Sequence, residues 1–310
     1  MTDGRARVTE AGGGVTRARA LLLAARPRTL PAALAPVLVG WAIAFAEGSL
    51  RALPALATLL VALLIQVGTN YANDVLDFER GADTAARVGP LRVTQAGLLS
   101  PRAVKLAAAT AFGLAAVAGI YLAAVAGWAL LIVGAVSIVA ALAYTGGPSP
   151  LAYNGLADPF VMIFFGFVAV CGTVYVQLGQ LPALAFAASL PIGALATAIL
   201  VVNNVRDAAT DAIAGRHTMP VRFGRRFGVL EYAGLLVLAF ATLPVIVASG
   251  LAGPWGLAPL VLAPLAFRLA RSLVRDEGPA LNATLAGTGR LLLLFAILLA
   301  VGIALGGNPA

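Results

Sequence analysis

The chain has 310 residues, of which 61% are apolar and 11% charged, and its mean hydropathy is +0.95. A soluble domain contains about 45–50% apolar and about 25% charged residues. This composition excludes a purely water-soluble globular protein and predicts a membrane protein. The net charge of +8 fits contact with anionic lipid, and a nucleic-acid-binding role is not expected.

The first 19 residues are rich in Gly and Arg and lack the apolar core of a cleaved signal peptide. We therefore expect residues 1–19 to form a disordered cytoplasmic tail and residues 20–310 to form a single transmembrane domain. The one cysteine, Cys171, lies inside an apolar run, which excludes a disulfide framework or a cysteine-based metal site.

Nine apolar runs follow the tail, each close to the about 20 residues with which a helix crosses a hydrocarbon core. The long run from 103 to 144 is divided at Gly127-Trp128. The alternation typical of a β-barrel is absent, so the predicted fold is all-α with nine transmembrane helices. The runs cover residues 30–46, 52–73, 103–126, 128–144, 156–176, 182–203, 229–249, 255–270 and 291–307.

The basic residues test this count independently. With nine spans, only Arg51 of the 21 Lys and Arg residues falls on the side opposite the N-terminus. Because cytoplasmic loops carry the excess of basic residues, we expect a cytoplasmic N-terminus and an external C-terminus, in the inner cell membrane.

Polar residues crowd one end of the second run. At about 100° per residue they share one helix face, and Gly81 is expected to end the helix so that Asp83 folds back toward that face. The residues on this face are Asn70, Asn73, Asp74 and Asp77.

A second polar face follows the sixth run, where Asn203, Asp207 and Asp211 stand at i, i+4 and i+8, and Gly215 is expected to end the helix. Both faces lie at the cytoplasmic ends of spans four apart, and each precedes a loop of Gly, Pro, Thr and Arg. This pattern indicates a diverged duplication, with halves at about 30–145 and 156–270 and a last span at 291–307. The simpler alternative is that these acids are solvated helix ends.

Carboxylate and amide oxygens are hard ligands that suit Mg²⁺, which shares its coordination with substrate phosphates. Two facing acidic helices can therefore hold Mg²⁺ ions that stabilise a diphosphate leaving group. A diphosphate bound at the end of an apolar bundle implies a lipid tail, as in a polyprenyl diphosphate. Its allylic cation can be captured by an electron-rich aromatic ring if water is excluded.

Several segments resemble the UbiA-type intramembrane prenyltransferases, and within them the branch that prenylates 1,4-dihydroxy-2-naphthoate in menaquinone synthesis. The resemblance runs from about Arg26 to the last spans. The segments are ARPRTLP at 25–31, NDVLDFERGAD at 73–83, RVGPLR at 87–92, AYTGGPSPLAY at 143–153, FFGFVAVCGTVYVQ at 164–177 and NNVRDAATDAIAGRHTMPVRFG at 203–224.

The resemblance implies nine helices around a central cavity and a cytoplasmic active site that uses Mg²⁺. It also implies prenyl transfer to the ring carbon that bears the carboxylate, with release of CO₂ and diphosphate to give demethylmenaquinone. The implied catalytic and Mg²⁺-diphosphate residues are Asp74, Asp77, Asp207 and Asp211, with Asn73 and Asp83 as further ligands. The implied diphosphate-binding residues are Arg87, Arg92, Lys105 and Arg206.

Candidate contacts to the aromatic substrate are Arg26, Arg28, Asn70, Asn203, Tyr144 and Tyr153. For the two arginines the alternative is ordinary anchoring of the first span. The rings of the two tyrosines could stabilise a cation. The alternative is that both tyrosines simply lie at the membrane interface.

Two other functions stay open at this point. The first is prenylation of another aromatic acceptor, such as 4-hydroxybenzoate, homogentisate or haem. The second is a membrane transporter, since repeated halves with charges at membrane depth are typical of transporters. The acidic faces lie at the same end of their spans, which indicates parallel rather than inverted halves.

Overall fold

The computed structural model describes residues 15–82, 89 and 91–306, and these contain helices and no β-strand. Residues 1–14 of the predicted tail lie outside the described part. The first helix of the described part begins at Arg17, so residues 17–19 of the predicted tail are helical. The helices are α1 Arg17–Ala25, α2 Leu30–Ala46, α3 Ala52–Glu79, α4 Pro101–Ala126, α5 Ala129–Thr145, α6 Ala157–Leu178, α7 Ala183–Ile213, α8 Met219–Phe223, α9 Arg225–Ala248, α10 Pro254–Arg275 and α11 Leu281–Gly306.

Eight helical segments of the described chain are long and apolar enough to cross a membrane, with α1 and α2 counted together. The remaining apolar helix, α5, has 17 residues and falls just short of that length. The chain is therefore an all-helical protein with membrane-spanning helices, and the count of nine stays a prediction. The division at Gly127-Trp128 is found, because α4 ends at Ala126 and Gly127 has a φ of 114°.

The two acidic helices are longer than their apolar runs. Helix α3 continues to Glu79 and α7 to Ile213, so each carries its polar face beyond the apolar segment. Both end where the sequence predicts, since Gly81 and Gly215 have φ values of 70° and 71°. This left-handed conformation is accessible to glycine at little cost.

The two acidic helices pack on different neighbours. Helix α3 packs on α4 and α5, while α7 packs on α9 and on the first part of α6. The last helix, α11, lies against α2 and α7 and buries Leu291, Leu292, Phe295 and Leu299 completely. Many apolar side chains on the outer surface, such as Val117 and Val139, are exposed in the isolated chain, as expected for a surface that faces lipid.

Helix α6 contains a π-helical stretch, Met162–Val168, that lies against α7. Such stretches frequently occur at functional sites. Gly166 permits the close approach, because a Cβ atom on it would lie 2.8 Å from the Ser189 carbonyl oxygen and 2.9 Å from the Gly193 Cα.

We predict that Gly166→Ala destabilises the protein, because the added methyl group collides with backbone atoms of α7. Overpacking of this kind costs about 1–3 kcal/mol, which thermal unfolding of the purified protein in detergent measures. Gly113→Ala is the matched control, since a methyl group added there would meet no other atom within 4 Å and Ala is the better helix former. Equal unfolding midpoints for the two variants would contradict this account of the α6–α7 contact.

Candidate functional site

A cavity of about 1030 Å³ lies between the ends of α3 and α7 and extends into the apolar interior of the bundle. Its deep part is lined by aliphatic and aromatic side chains such as Leu131, Val133 and Phe165. Its polar part collects side chains from distant segments of the sequence. These are Arg26, Arg28, Thr29, Gln66, Asn70, Asn73, Asp77, Arg92, Tyr144, Thr145, Asn203, Asn204, Asp211, Arg216, Thr218 and Asn282.

Asp77 is the centre of the polar part and is 1% exposed. Arg92 donates to its Oδ2 atom at 2.7 Å. Arg216 and the Tyr153 hydroxyl group reach its Oδ1 atom at 2.8 and 3.0 Å. A buried carboxylate is stabilised when it is paired and hydrogen-bonded in this way, so Asp77 joins three loops to α3.

Asp74 lies one turn earlier on α3 and is fully buried. Its two carboxylate oxygens accept hydrogen bonds from the backbone N–H groups of Val93 and Thr94, at 3.1 and 3.0 Å. Asp74 is not one of the described residues that line the cavity. In this structure it holds the segment that carries Arg92 against α3, and its assignment as a metal ligand stays a prediction.

The two aspartates of α7 also differ in their surroundings, as Asp77 and Asp74 do on α3. Asp211 lines the cavity, whereas Asp207 forms two hydrogen bonds with its neighbour Arg206, at 2.8 and 2.6 Å. Arg206 also donates to the side-chain oxygens of Asn203 and Asn282, at 2.7 and 2.9 Å. Arg206 therefore ties α7 to α11 in this structure, and its predicted contact with diphosphate is a separate, untested role.

Arg216 is the residue that connects the two acidic helices. Besides Asp77 it approaches the Oδ1 atom of Asp211 at 3.7 Å, and its guanidinium group lies 4.6 Å from the centre of the Tyr153 ring. Burial lowers the pKa of Arg216, but the charges of Asp77 and Asp211 more than offset this, and the net shift is upward. The sequence reasoning did not select Arg216, although its position directly after the helix-ending Gly215 was a signal.

Tyr153 packs between two arginines and the acidic face. Burial, followed by the charge of Asp77, raises its pKa to about 12, so its hydroxyl group is a hydrogen-bond donor at neutral pH. Tyr144 lines the cavity, and its ring centre lies 6.0 Å from that of Phe160. Phe160 in turn stacks on Phe164 at 4.3 Å. The cavity therefore has an aromatic wall next to its charged part.

The turn between α1 and α2 presents Arg26 and Arg28 to the cavity. Arg26 has a φ of 52°, the one positive φ value of a described residue other than glycine. The Asn70 side chain stabilises the turn by donating to the Ala25 carbonyl oxygen and to the Thr29 hydroxyl oxygen, at 2.9 and 3.0 Å. Asn70 thus positions the arginine-bearing turn as well as lining the cavity.

Of the remaining predicted residues, Asn73 lines the cavity, and the other three lie apart from it or outside the described residues. Lys105 forms an exposed ion pair with Glu79 at 2.7 Å. It is not one of the described residues that line the cavity. Asp83 and Arg87 lie outside the described residues. The Asn73 side-chain oxygen accepts a hydrogen bond from Thr145 at 2.8 Å.

Charge and donor chemistry decide which ligand fits this site. Within the described part of the chain, four arginines and two carboxylates line the cavity, so its polar part has an excess of positive charge that favours an anion. No group of three or more His, Cys, Asp or Glu side chains that can hold a metal is found among the described residues. The oxygens of Asp77, Asp211 and Asn73 fit Mg²⁺, which needs only one or two carboxylates when it shares phosphate oxygens.

Comparison with known proteins gives the class. The sequence profile of the UbiA prenyltransferase family matches residues 33–295, and the chain belongs to this family. A UbiA homolog from Archaeoglobus fulgidus bound to GPP and Mg²⁺ has the same fold, with a TM-score of 0.66 at 17% identity over 92% of this chain and 99% of that chain. The apo structure of a UbiA homolog from Aeropyrum pernix K1 gives a TM-score of 0.69 at 13% identity, covering 89% and 97% of the two chains.

Relatives with higher identity narrow the comparison. A 1,4-dihydroxy-2-naphthoate octaprenyltransferase from Mycobacterium tuberculosis is 41% identical over 283 residues, which cover 91% of this chain and 96% of the relative. The enzyme with the same name from Escherichia coli is 38% identical over 297 residues, covering 93% and 96% of the two chains.

The backbone contacts of Asp74 generate a prediction about stability. In Asp74→Ala the N–H groups of Val93 and Thr94 lose a charged acceptor, which is expected to lower the free energy of unfolding by about 2–4 kcal/mol. Thermal unfolding in EDTA measures this effect without any contribution from bound metal. Glu79→Ala, which removes an exposed ion pair of α3, is the control and is expected to cost less than about 1 kcal/mol. If Asp74→Ala unfolded like the control, the structural role of Asp74 would be wrong.

Proposed function

We propose that this chain transfers a polyprenyl group from a polyprenyl diphosphate to 1,4-dihydroxy-2-naphthoate, releasing CO₂ and diphosphate and giving demethylmenaquinone in its reduced, quinol form. The observation that carries this proposal is the cavity in which Asp77 and Asp211, joined by Arg216, border a deep apolar space. The two relatives named above support the choice of acceptor, and the segments resembling the naphthoate branch agree with it.

The diphosphate group is proposed to bind in the polar part of the cavity. Mg²⁺ would neutralise the diphosphate there and stabilise it as a leaving group. Asp77 and Asp211 would hold the metal with Asn73, and Asp74, Asp83 and Asp207 are the further ligands predicted from the sequence. Arg92 and Arg216 now contact Asp77, and they are placed to turn toward the diphosphate as its negative charge enters.

The prenyl chain is proposed to occupy the deep apolar part of the cavity, which excludes water from the allylic cation. The rings of Tyr144, Phe160 and Phe164 form the wall next to the charged part and can stabilise that cation through their faces. The acceptor is proposed to lie between this wall and the turn that carries Arg26 and Arg28, where an arginine can pair with its carboxylate. Asn70, Asn203 and Tyr153 are the remaining candidates for acceptor contacts.

The membrane arrangement follows from the same proposal. We expect nine membrane-spanning helices, including the short α5, in one domain of two related halves and a last span, residues 20–310. The distribution of basic residues supports a cytoplasmic N-terminus, an external C-terminus and a site that opens toward the cytoplasm of the inner membrane.

Two alternatives are distinguished by experiment. A UbiA-type enzyme with another aromatic acceptor would prenylate that compound and not 1,4-dihydroxy-2-naphthoate in the same membranes. A transporter would move a substrate across proteoliposomes without converting it.

We predict that Asp77→Asn reduces turnover below about 1% of the unaltered protein, because the amide removes the charge that binds Mg²⁺ and the two arginines while keeping the side-chain shape. The measurement is prenylated product formed from geranyl diphosphate and the naphthoate over a series of Mg²⁺ concentrations. Glu79→Gln, which removes an exposed carboxylate two residues later, is expected to retain full activity. Near-normal turnover of Asp77→Asn at limiting Mg²⁺ would disprove the metal assignment.

A second prediction concerns orientation. In a Cys171→Ala background, a cysteine at Ser149, in the exposed loop that ends at α6, should be shielded from an impermeant thiol reagent in intact cells. A cysteine at Ser49, in the exposed turn between α2 and α3, should react from outside. Opening the inner membrane should make both react. Reaction of Ser149→Cys in intact cells would place the acidic ends of α3 and α7 outside and refute the proposed topology.

A further inference from the structure

Thr218 carries a buried hydroxyl group that has no role in the site described above. Thr218 lines the cavity and is 4% exposed. No described residue lies within hydrogen-bond distance of its Oγ1 atom. Leaving a buried polar group unpaired is costly, and such groups are rare in native proteins. The Thr218 hydroxyl group therefore requires an explanation.

Capping of α8 does not provide this explanation. Thr218 directly precedes α8, a position from which a threonine side chain commonly accepts a hydrogen bond from the first turn. No such side-chain bond forms here. The Arg222 backbone N–H group bonds the Thr218 carbonyl oxygen, at 3.0 Å. Backbone atoms thus hold the start of α8, and the hydroxyl group stays available.

Two contacts hold the loop that contains Thr218 at the end of α3. The Arg216 guanidinium group lies 2.8 Å from the Asp77 Oδ1 atom. The His217 backbone N–H group donates to the Tyr153 carbonyl oxygen at 2.8 Å, and the Tyr153 hydroxyl group donates to Asp77 at 3.0 Å. Because consecutive Cα atoms are about 3.8 Å apart, the Thr218 Cα atom lies within about 8 Å of that of Arg216.

The donors in this loop favour an anionic ligand. Arg216 also approaches Asp211, at 3.7 Å, so it stands between the carboxylates of both acidic helices. Its Nε atom is buried and has no hydrogen-bond partner in the described part of the chain. A guanidinium group only donates, and a hydroxyl group rotates to suit its partner. A ligand that pairs with both groups must supply hydrogen-bond acceptor atoms, as phosphate oxygens do.

We propose that the Thr218 hydroxyl group donates a hydrogen bond to a phosphate oxygen of the prenyl diphosphate, and to the diphosphate that is released. This inference rests on the proposed function, which supplies a diphosphate in the polar part of the cavity. The hydrogen bond stabilises the negative charge that develops as the allylic C–O bond breaks and its electron pair goes to diphosphate. Thr218 thus binds the leaving group and does not touch the aromatic acceptor.

The test uses Thr218→Val, which removes the hydroxyl group and keeps a side chain of similar size. We expect kcat/KM for geranyl diphosphate and the calorimetric affinity for pyrophosphate with Mg²⁺ both to fall about tenfold or more, as for a lost hydrogen bond to a charged group. Thr218→Ser, which retains a hydroxyl group, should keep the pyrophosphate affinity within about threefold. If the valine variant did not fold, Thr218→Ala compared with Thr218→Ser would give the same test.

The KM for the naphthoate should stay within about threefold in Thr218→Val. A rise in this KM with unchanged pyrophosphate affinity would place the hydroxyl group at the acceptor and overturn the proposal. Unchanged pyrophosphate affinity together with an unchanged KM would overturn it as well.

Thr94→Val is the matched control. Thr94 is also 4% exposed, and its hydroxyl group has no partner among the described residues. Thr94 is not, however, one of the described residues that line the cavity. Valine keeps the backbone N–H group that binds Asp74, so turnover and pyrophosphate affinity should stay within about threefold. Equal losses of pyrophosphate affinity in Thr94→Val and Thr218→Val would contradict a specific contact from Thr218.

Thermal unfolding separates binding from a structural role. Thr218→Val breaks no hydrogen bond of the described chain, so its unfolding midpoint without ligand should not fall below that of the unaltered protein. Pyrophosphate with Mg²⁺ should raise the midpoint of the unaltered protein more than that of the variant. A lower midpoint without ligand, followed by an equal rise with pyrophosphate, would show a structural role and refute the binding role.

The proposed function fails or stands separately. If the unaltered protein prenylated another phenol and not the naphthoate, while Thr218→Val lost pyrophosphate affinity, the acceptor assignment would fail and the role of Thr218 would stand. If the unaltered protein prenylated the naphthoate and Thr218→Val kept its pyrophosphate affinity, only the role of Thr218 would fail.

Discussion

The ion pairs of Asp77 are the interaction on which the site depends. Arg92 and Arg216 both bind this one carboxylate, although they lie in different halves of the chain. A buried charge in a bundle of apolar helices is stable only when it is paired. The pairing therefore fixes the distance between the end of α3 and the loop after α7. It also holds two guanidinium groups beside the place where a diphosphate would bind.

Around this pair, the fold divides the acidic residues into two kinds. Asp77 and Asp211 line the cavity, whereas Asp74 and Asp207 are not among the described residues that line it. Asp74 binds a backbone segment and Asp207 binds Arg206. Aspartates one helical turn apart in the same motif thus have different roles. Asp74 keeps the segment with Arg92 in place, and Asp207 orders the network that ties α7 to the last helix. Mg²⁺ binding would have to compete with these contacts as well as with the arginines on Asp77.

Much of this architecture could be predicted from the sequence. Apolar runs and glycines predicted the helices, the division at Gly127 and the helix ends at Gly81 and Gly215, because helical period and the run length that crosses a bilayer can be read from local sequence. The matched positions of the two acidic faces, at the same ends of their spans, predicted that they meet. The role of Arg216 could not be predicted in this way, since many arginines follow the spans and only the tertiary packing selects the one that reaches Asp77.

The central claim is that the two acidic helices bind one diphosphate between them. Diffraction from crystals grown with Mn²⁺ and geranyl diphosphate tests it directly, because the anomalous signal of manganese locates each ion. The account predicts manganese between Asp77 and Asp211, bridged by the diphosphate, with Arg216 moved from Asp77 to the phosphate oxygens. Manganese bound to one acidic helix alone, with the diphosphate elsewhere and Arg216 still on Asp77, would contradict it.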